Sequence, residues 1–273
     1  MYKTRSDNEI KNVGLPEDEM PESEIVIEEE IPVYKPTGTP NSTDDMEWGD
    51  LTVFGPILPP GTDMLKNKPV YRFFKRFFDV VLSVFALIVL FPFMLLIALI
   101  IFLDDPHGSP LFIQTRTGKN GKEFRLFKFR SMVVNAEALL EELRKKGISF
   151  KAPNDPTYKV KDDPRMTRFG KFIRKTSIDE LPQLLNIIMG HMSIVGPRPP
   201  LPREVKLYNE FTMQRLLMRP GLTCIWQSTH NRDDILFPEW MKMDVTYLHE
   251  CSFLLDCKLI IKTFAVVFTA NGN

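Results

Sequence analysis

The 273-residue sequence is poor in the residues and patterns that announce metal, disulfide or dinucleotide chemistry. Its three cysteines, Cys224, Cys251 and Cys257, show no metal-ligand spacing. So few, in odd number, give no sign of a disulfide framework and fit a reducing compartment; their ordinary role is as small buried hydrophobes. The histidines, His107, His191, His230 and His249, are scattered, and no His/Asp/Glu cluster has the spacing of a zinc site. There is no Walker loop and no glycine-rich dinucleotide turn. A continuous Lys/Arg run and an aromatic stacking platform are also missing, which argues against nucleic acid as a partner. The first residues lack the charged-then-apolar layout of a cleaved secretory signal.

What is present is a strong asymmetry. Net charge is zero, but residues 1–50 hold 14 acidic and 4 basic residues, a net of −10, and the remainder carries +10. Residues 1–65 are rich in Glu, Asp, Pro and Thr without sustained periodicity, so they cannot bury enough apolar surface to offset chain entropy. They read as a disordered acidic tail. The basic body suits anionic partners such as phosphates or a lipid headgroup surface.

Residues 70–104 read as a membrane-inserted helix. Phe77–Leu103 is interrupted only by Asp79, Ser83 and Pro92, and its length of about 40 Å exceeds the hydrocarbon core. Pro92 removes a backbone bond to Ile88 and kinks the helix. Basic residues lie on both flanks, Arg72, Lys75 and Arg76 before it and Arg116, Lys119, Lys122 and Arg125 after it. The positive-inside tendency holds both flanks in the cytoplasm. A helix broken at Pro92 that enters and leaves by one face satisfies both observations; a single span with a tolerated proline is the alternative.

Residues 105–273 read as a small mixed domain of class α+β, because short strands and helices follow one another without regular βαβ alternation. Leu111–Arg116 and Glu123–Phe129 are expected as strands joined by a turn at Lys119-Asn120-Gly121. Helices are expected over Val133–Lys146 (stopped by Gly147), Phe169–Lys175, Leu181–Met189 (closed by Gly190), Val205–Met218 and Asp256–Ala270. Residues 148–165 are loop-like. The last helix is apolar enough to lie against a bilayer.

The densest chemical constellation is Arg174-Lys175-Thr176-Ser177-Ile178-Asp179-Glu180-Leu181-Pro182-Gln183. Ser177 and Glu180 fit a capping box, but a start there would drive Pro182 against the Ile178 carbonyl. A start near Asp179 puts Pro182 in the first turn, where its missing N–H costs nothing. Asp179 then lies at the positive end of the helix dipole, which favours its carboxylate. A carboxylate among cations can act as a nucleophile toward phosphorus, and Glu180 beside it can hold a hard cation. Adjacent acids at a helix start are more often simple caps. They do not suit a glycosidase, whose carboxyls face each other across a bond about 5–9.5 Å apart. Gly196-Pro197-Arg198-Pro199-Pro200 fixes an arginine between prolines, and arginine matches phosphate oxygens bidentately. Lys128-Phe129-Arg130-Ser131-Met132 alternates basic and apolar residues at a strand end.

In this order behind one apolar helix, these clusters resemble the bacterial sugar transferases, the small monotopic phosphoglycosyl transferases. The likeness runs from about Lys75 to Thr263 and includes Lys75–Asp79, Gln114–Gly118, Lys128–Met132, Asp163–Gly170, Arg174–Leu184, Met192–Pro199, Pro220–Thr223, Trp226-Gln227 and Leu255-Asp256. The resemblance implies that Asp179 is the catalytic aspartate. It would attack the β-phosphorus of a UDP-sugar, expel UMP and hold the phosphosugar until polyprenyl (undecaprenyl) phosphate takes it. Glu180 falls on the position associated with Mg²⁺. Arg174 and Arg198 fall on arginines facing the substrate phosphates, Arg130 on a basic position near the site, and Asp256 on a late acid placed in it. The resemblance also selects the re-entrant helix and a catalytic domain on the cytoplasmic face of the inner membrane, in contact with lipid. It leaves oligomeric state open, self-association being common among monotopic enzymes.

Two departures stand out. The family carries Gly-Arg-Asn after Trp-Gln, whereas this chain reads Ser228-Thr229-His230-Asn231-Arg232-Asp233, so Arg232 supplies the guanidinium only after a one-residue shift. Phe91 precedes the proline where some relatives have serine. A catalytically silent membrane adaptor of a polysaccharide-export assembly is the alternative function, and the intact Asp179-Glu180 pair speaks against it.

Overall fold

The computed structural model describes residues 56–145, 163–229 and 235–268, all within one compact unit, Pro32–Asn273. Residues 1–55 of the expected tail, Gly147, the loop over 148–162 and Arg232 lie outside the described residues, whereas Leu58, Met64 and Leu65, also placed in that tail, pack against a core cluster that includes Val195 and Leu248.

A 36-residue helix, α1 (Pro69–Asp104), opens the described fold, with proline in its first turn, where the absent N–H is not missed. Asp79, Ser83, Ile97 and Ile101 are buried along it, and Ala86, Met94 and Ala98 pack against the domain core. Steps of three or four residues put all of these on one face. The rest is open: Phe73, Phe77, Phe85, Ile88, Leu96 and Leu99 are exposed. The helix is long and apolar enough to cross a membrane, and only 11% of its most apolar window is buried, whereas a core helix would be covered on all sides. Pro92 lies inside the helix, which continues without interruption. The expected break therefore opens no loop. A proline deletes one backbone bond, and packing at Ala86 and Met94 holds the turns on either side.

The hairpin is as expected. Strands β1 (Leu111–Thr117) and β2 (Glu123–Phe129) pair antiparallel, Leu111 opposite Phe129 and Thr117 opposite Glu123. Asn120 and Gly121 take φ of 58° and 76° in the turn, a conformation open to Asn and Gly. Helices α2 (Ala136–Lys145) and α3 (Arg168–Lys175) follow, the second capped by the Thr167 hydroxyl accepting from Gly170 N–H. Helix α4 (Gln183–Ile188) begins two residues later than expected. It packs Leu184 and Ile187 against Phe124 and Leu126 of β2. Asn186, fully buried, accepts from Phe127 N–H at 3.0 Å and donates to the Arg125 carbonyl at 2.7 Å. Its amide thus stands in for a neighbouring strand along the outer edge of β2. The α4 carbonyls of Ile187 and Ile188 receive Arg76 of α1 at 2.8 and 3.0 Å.

Strands β3 (Ser193–Val195) and β4 (Gly221–Thr223) form a short parallel pair. A Cβ on Gly221 would lie 2.1 Å from Gly196 N, so only glycine permits this approach. The single helix expected over Val205–Met218 is instead α5 (Pro202–Val205), α6 (Glu210–Met213) and a 3₁₀ turn over Gln214–Leu217. Asn209 interrupts it: its extended backbone and side chain, accepting from Thr212 N–H, start a new helix. Helix α7 (Phe237–Glu250), to which no element was assigned from sequence, carries the core. Phe237, Trp240, Met241 and Val245 pack with Phe211, Cys224 and Trp226, while Tyr247 and Leu248 pack with Val195, Met218 and Cys251. Helix α8 (Phe253–Phe268) closes the fold. Two short sheets among many helices make the class α+β. Cys224 and Cys251 are buried, as expected of small hydrophobes, whereas Cys257 is only half-buried.

Candidate functional site

Asp179 and Glu180 belong to a 3₁₀ turn, Ile178–Glu180, between α3 and α4. Ser177 just before it adopts a left-handed φ of 57°, strain of the kind that collects at functional sites. The turn refines one expectation: Asp179 heads a 3₁₀ turn whose helical backbone continues through Leu181 and Pro182 into α4, which itself starts at Gln183. Asp179 is 7% exposed. Burial pushes its carboxyl up to about 6, and the Glu180 charge adds to this against the pull of Lys128, Arg174 and Arg198. Glu180 goes the other way. Burial would raise it too, but Lys128 and Arg198 hold it below the usual carboxylate range. Two adjacent acids therefore titrate in different ranges, which is how one site comes to hold groups for different tasks.

Glu180 is gripped on both oxygens, by Lys128 Nζ at 3.0 Å and by Gln227 Nε2 at 3.0 Å. Lys128 comes from β2, on the same face as buried Phe124 and Leu126; Gln227 comes from the turn after β4. With Arg116, Arg198 and Gln183 they line a narrow cleft. Arg198 sits in its proline-bounded loop with its guanidinium 5.5 Å from the Trp226 ring centre. Arg116 donates to the Pro199 carbonyl at 3.0 Å, and burial together with the Arg198 charge pushes its guanidinium down to about 10. Three cations, Arg116, Lys128 and Arg198, thus share a cleft wall with one firmly ionised acid. Such a surplus attracts diphosphate.

Of the residues expected in the site, the structure brings together Asp179, Glu180 and Arg198, with Arg174 exposed at the periphery but close enough to act on the Asp179 charge. Arg130 points elsewhere: it follows β2 and donates to the Asp105 carbonyl, with the Asp105 carboxylate 3.3 Å away. It fastens the end of α1 to the hairpin. Asp256 is not among the cleft-lining residues. It accepts from Lys75 at 2.8 Å, Tyr71 at 2.9 Å and Tyr247 at 2.7 Å, tying α1, α7 and α8 together. Lys128, Gln227 and Arg116 received no site role from the sequence. For Lys128 a signal existed, since β2 alternation places it on the inward face with Phe124 and Leu126.

A hard cation fits this donor set only in part. No group of three or more His, Cys, Asp or Glu residues gathers among the described residues. Mg²⁺ is often held by one or two carboxylates plus substrate phosphates, and Glu180 with Asp179 supply that minimum. Binding there would displace Lys128 or Gln227 from a Glu180 oxygen.

A profile of the family described as bacterial sugar transferase matches residues 70–270. The chain is 38% identical to the UDP-galactose-lipid carrier transferase of Erwinia amylovora over 79% of its length, covering 44% of that protein. It is 40% identical to the exopolysaccharide production protein ExoY of Sinorhizobium fredii over 80% of its length, covering 94% of that protein. To the undecaprenyl-phosphate galactose phosphotransferase of Salmonella typhimurium it is 38% identical over 74% of its length, covering 42%. It thus spans less than half of the first and third relatives and nearly all of the second.

Proposed function

The chain belongs to the bacterial sugar transferase family, and on that footing we propose that it transfers a sugar 1-phosphate from a UDP-sugar to polyprenyl phosphate. The observation that carries this reading is the Asp179-Glu180 turn beside a cleft with three cations. An Asp179 carboxylate oxygen bonds to the β-phosphorus as the bond from that phosphorus to the bridging oxygen breaks, and UMP leaves with the electron pair. An oxygen of polyprenyl phosphate then attacks the same phosphorus and frees the carboxylate. Dividing one transfer into two is ordinary covalent catalysis. Asp179 starts nearly buried, so attack requires its side chain to turn toward the cleft. Arg116, Arg198 and Lys128 offset the diphosphate charge. Mg²⁺ held by Glu180 would polarise the phosphoryl oxygens when bound.

The same reading places the domain on the cytoplasmic face of the inner membrane with α1 inserted from that face. In support, the domain grips α1 at both ends: Lys75 and Asp79 bond to Asp256 and Ile194 N–H near its start, and Ile97, Ile101 and Asp105 pack or pair near its end. One polar domain cannot hold both ends of a helix that delivers them to opposite faces. Tags before Arg72 and after residue 273 should both report cytoplasm; opposite sides would exclude this topology. The function is tested by incubating the purified chain with Mg²⁺, undecaprenyl phosphate and a panel of UDP-sugars. UMP release from at least one donor is expected, and none from any donor would refute the reading.

A further inference from the structure

Behind the cleft lies an ion pair that the proposed chemistry does not use. Arg215, 2% exposed, and Asp244, 1% exposed, meet at 2.5 Å. A buried pair of this kind is seldom worth its desolvation, since apolar residues of similar volume are as stabilising or more so. Its surroundings indicate another use. Arg215 Nη2 donates to the backbone carbonyl of Arg198 at 2.8 Å, and Nη1 donates to the Tyr208 hydroxyl at 2.6 Å. The Arg215 guanidinium also lies over the Trp240 ring, 5.2 Å from its centre. Trp240 stacks on Trp226 at 4.7 Å, with 24° between the planes, and Trp226 carries the Arg198 guanidinium at 5.5 Å. Four groups thus form one column: Arg215, Trp240, Trp226, Arg198. Cation–π attraction holds its two ends.

We propose that Arg215 and Asp244 are positioning residues for Arg198. Asp244 orients the Arg215 guanidinium. Arg215 fixes the Arg198 backbone through its carbonyl, and the tryptophan stack supports the plane of the Arg198 side chain. The cleft thereby presents a preset clamp for the diphosphate of the donor, at no ordering cost on binding. The inference rests on the reading of Arg198 as a phosphate ligand.

The test is UDP binding, measured calorimetrically on the full chain in detergent, which needs no turnover. The double variant Arg215→Met/Asp244→Leu removes the pair without leaving a buried lone charge. Its Kd for UDP should rise about tenfold, comparable to Arg198→Ala, because small misplacements of a clamp are costly. Adding Arg198→Ala to the double variant should cause no further loss, and in turnover the donor KM should rise by more than kcat falls. A merely structural defect, as in Leu259→Ala, lowers the folded fraction and leaves the Kd of folded molecules alone. Should the double variant not fold, Trp240→Phe thins the stack and should still weaken UDP binding by about threefold. Wild-type UDP affinity in the folded variant, or losses that multiply with Arg198→Ala, would overturn the proposal. Arg198-dependent UDP binding without UMP release from any donor would instead sink the transferase reading and leave this one standing.

Discussion

Two largely covered lysine–carboxylate pairs of nearly the same length stand among the described residues, Lys75–Asp256 at 2.8 Å and Lys128–Glu180 at 3.0 Å. Their surroundings differ. Around Asp256, two tyrosine hydroxyls and the lysine fill the carboxylate's hydrogen-bonding positions. Around Glu180, the lysine is joined by Arg116 and Arg198 along a cleft, and burial raises the pKa of a second acid next door. A saturated pair binds elements together. An unsaturated one has charge left over for a ligand.

The sharpest way to break this comparison is to remove the acid on each side. Asp179→Asn should lower UMP release by roughly 10⁴-fold or more, as expected for a lost nucleophile, with folding intact. Retained turnover would remove Asp179 from the chemistry. Asp256→Asn should do the converse. It leaves the Lys75 charge buried without its partner, which costs about 3–5 kcal/mol of stability, measurable by denaturation in micelles. Turnover per folded molecule should stay near wild type, and a collapse of kcat with unchanged stability would return Asp256 to the active site. Lys128→Met should be milder than Asp179→Asn, lowering kcat/KM by about 10²-fold, whereas an unaltered kcat/KM would make Lys128 a mere anchor.

The smallest effect is the dependence on pH. Attack needs the Asp179 carboxylate, and burial has raised the pKa of that group, so the reactive form is lost as pH falls through about 6. The rate should drop about tenfold per unit below that point. Glu180, displaced downward, stays ionised over the same range. A rate constant down to pH 4.5 would contradict the assignment.

Much of this was legible in the sequence because it is local. Adjacent acids, a proline-bounded arginine, a 27-residue apolar stretch and an Asn-Gly turn each declare themselves within a few positions. What escaped notice depends on distance along the chain. Arg215 and Asp244 look like two solvated charges until α7 folds back to pair them. Helix α7 is the exception: Glu239, Lys242, Thr246 and His249 recur at helical spacing opposite Trp240, Met241, Val245 and Leu248, an amphipathic pattern legible in principle. Gln227 and Arg116 acquire their roles only when β4 and β1 converge on the turn at Glu180. Asn209 is legible in principle as a cap, since its side chain accepts from Thr212 N–H three residues on. The start of α4 shifts for a local reason, the left-handed Ser177 and the 3₁₀ turn after it, which delay α4 to Gln183.

The most direct measurement is to trap the half-reaction. The chain would be incubated with a donor labelled at its β-phosphorus in the absence of polyprenyl phosphate, quenched in acid, digested and mapped by mass spectrometry. The label should reside on the peptide containing Asp179, together with the sugar, and be absent from Asp179→Asn. Label on any other side chain, or turnover with no labelled protein at any time, would contradict the central claim.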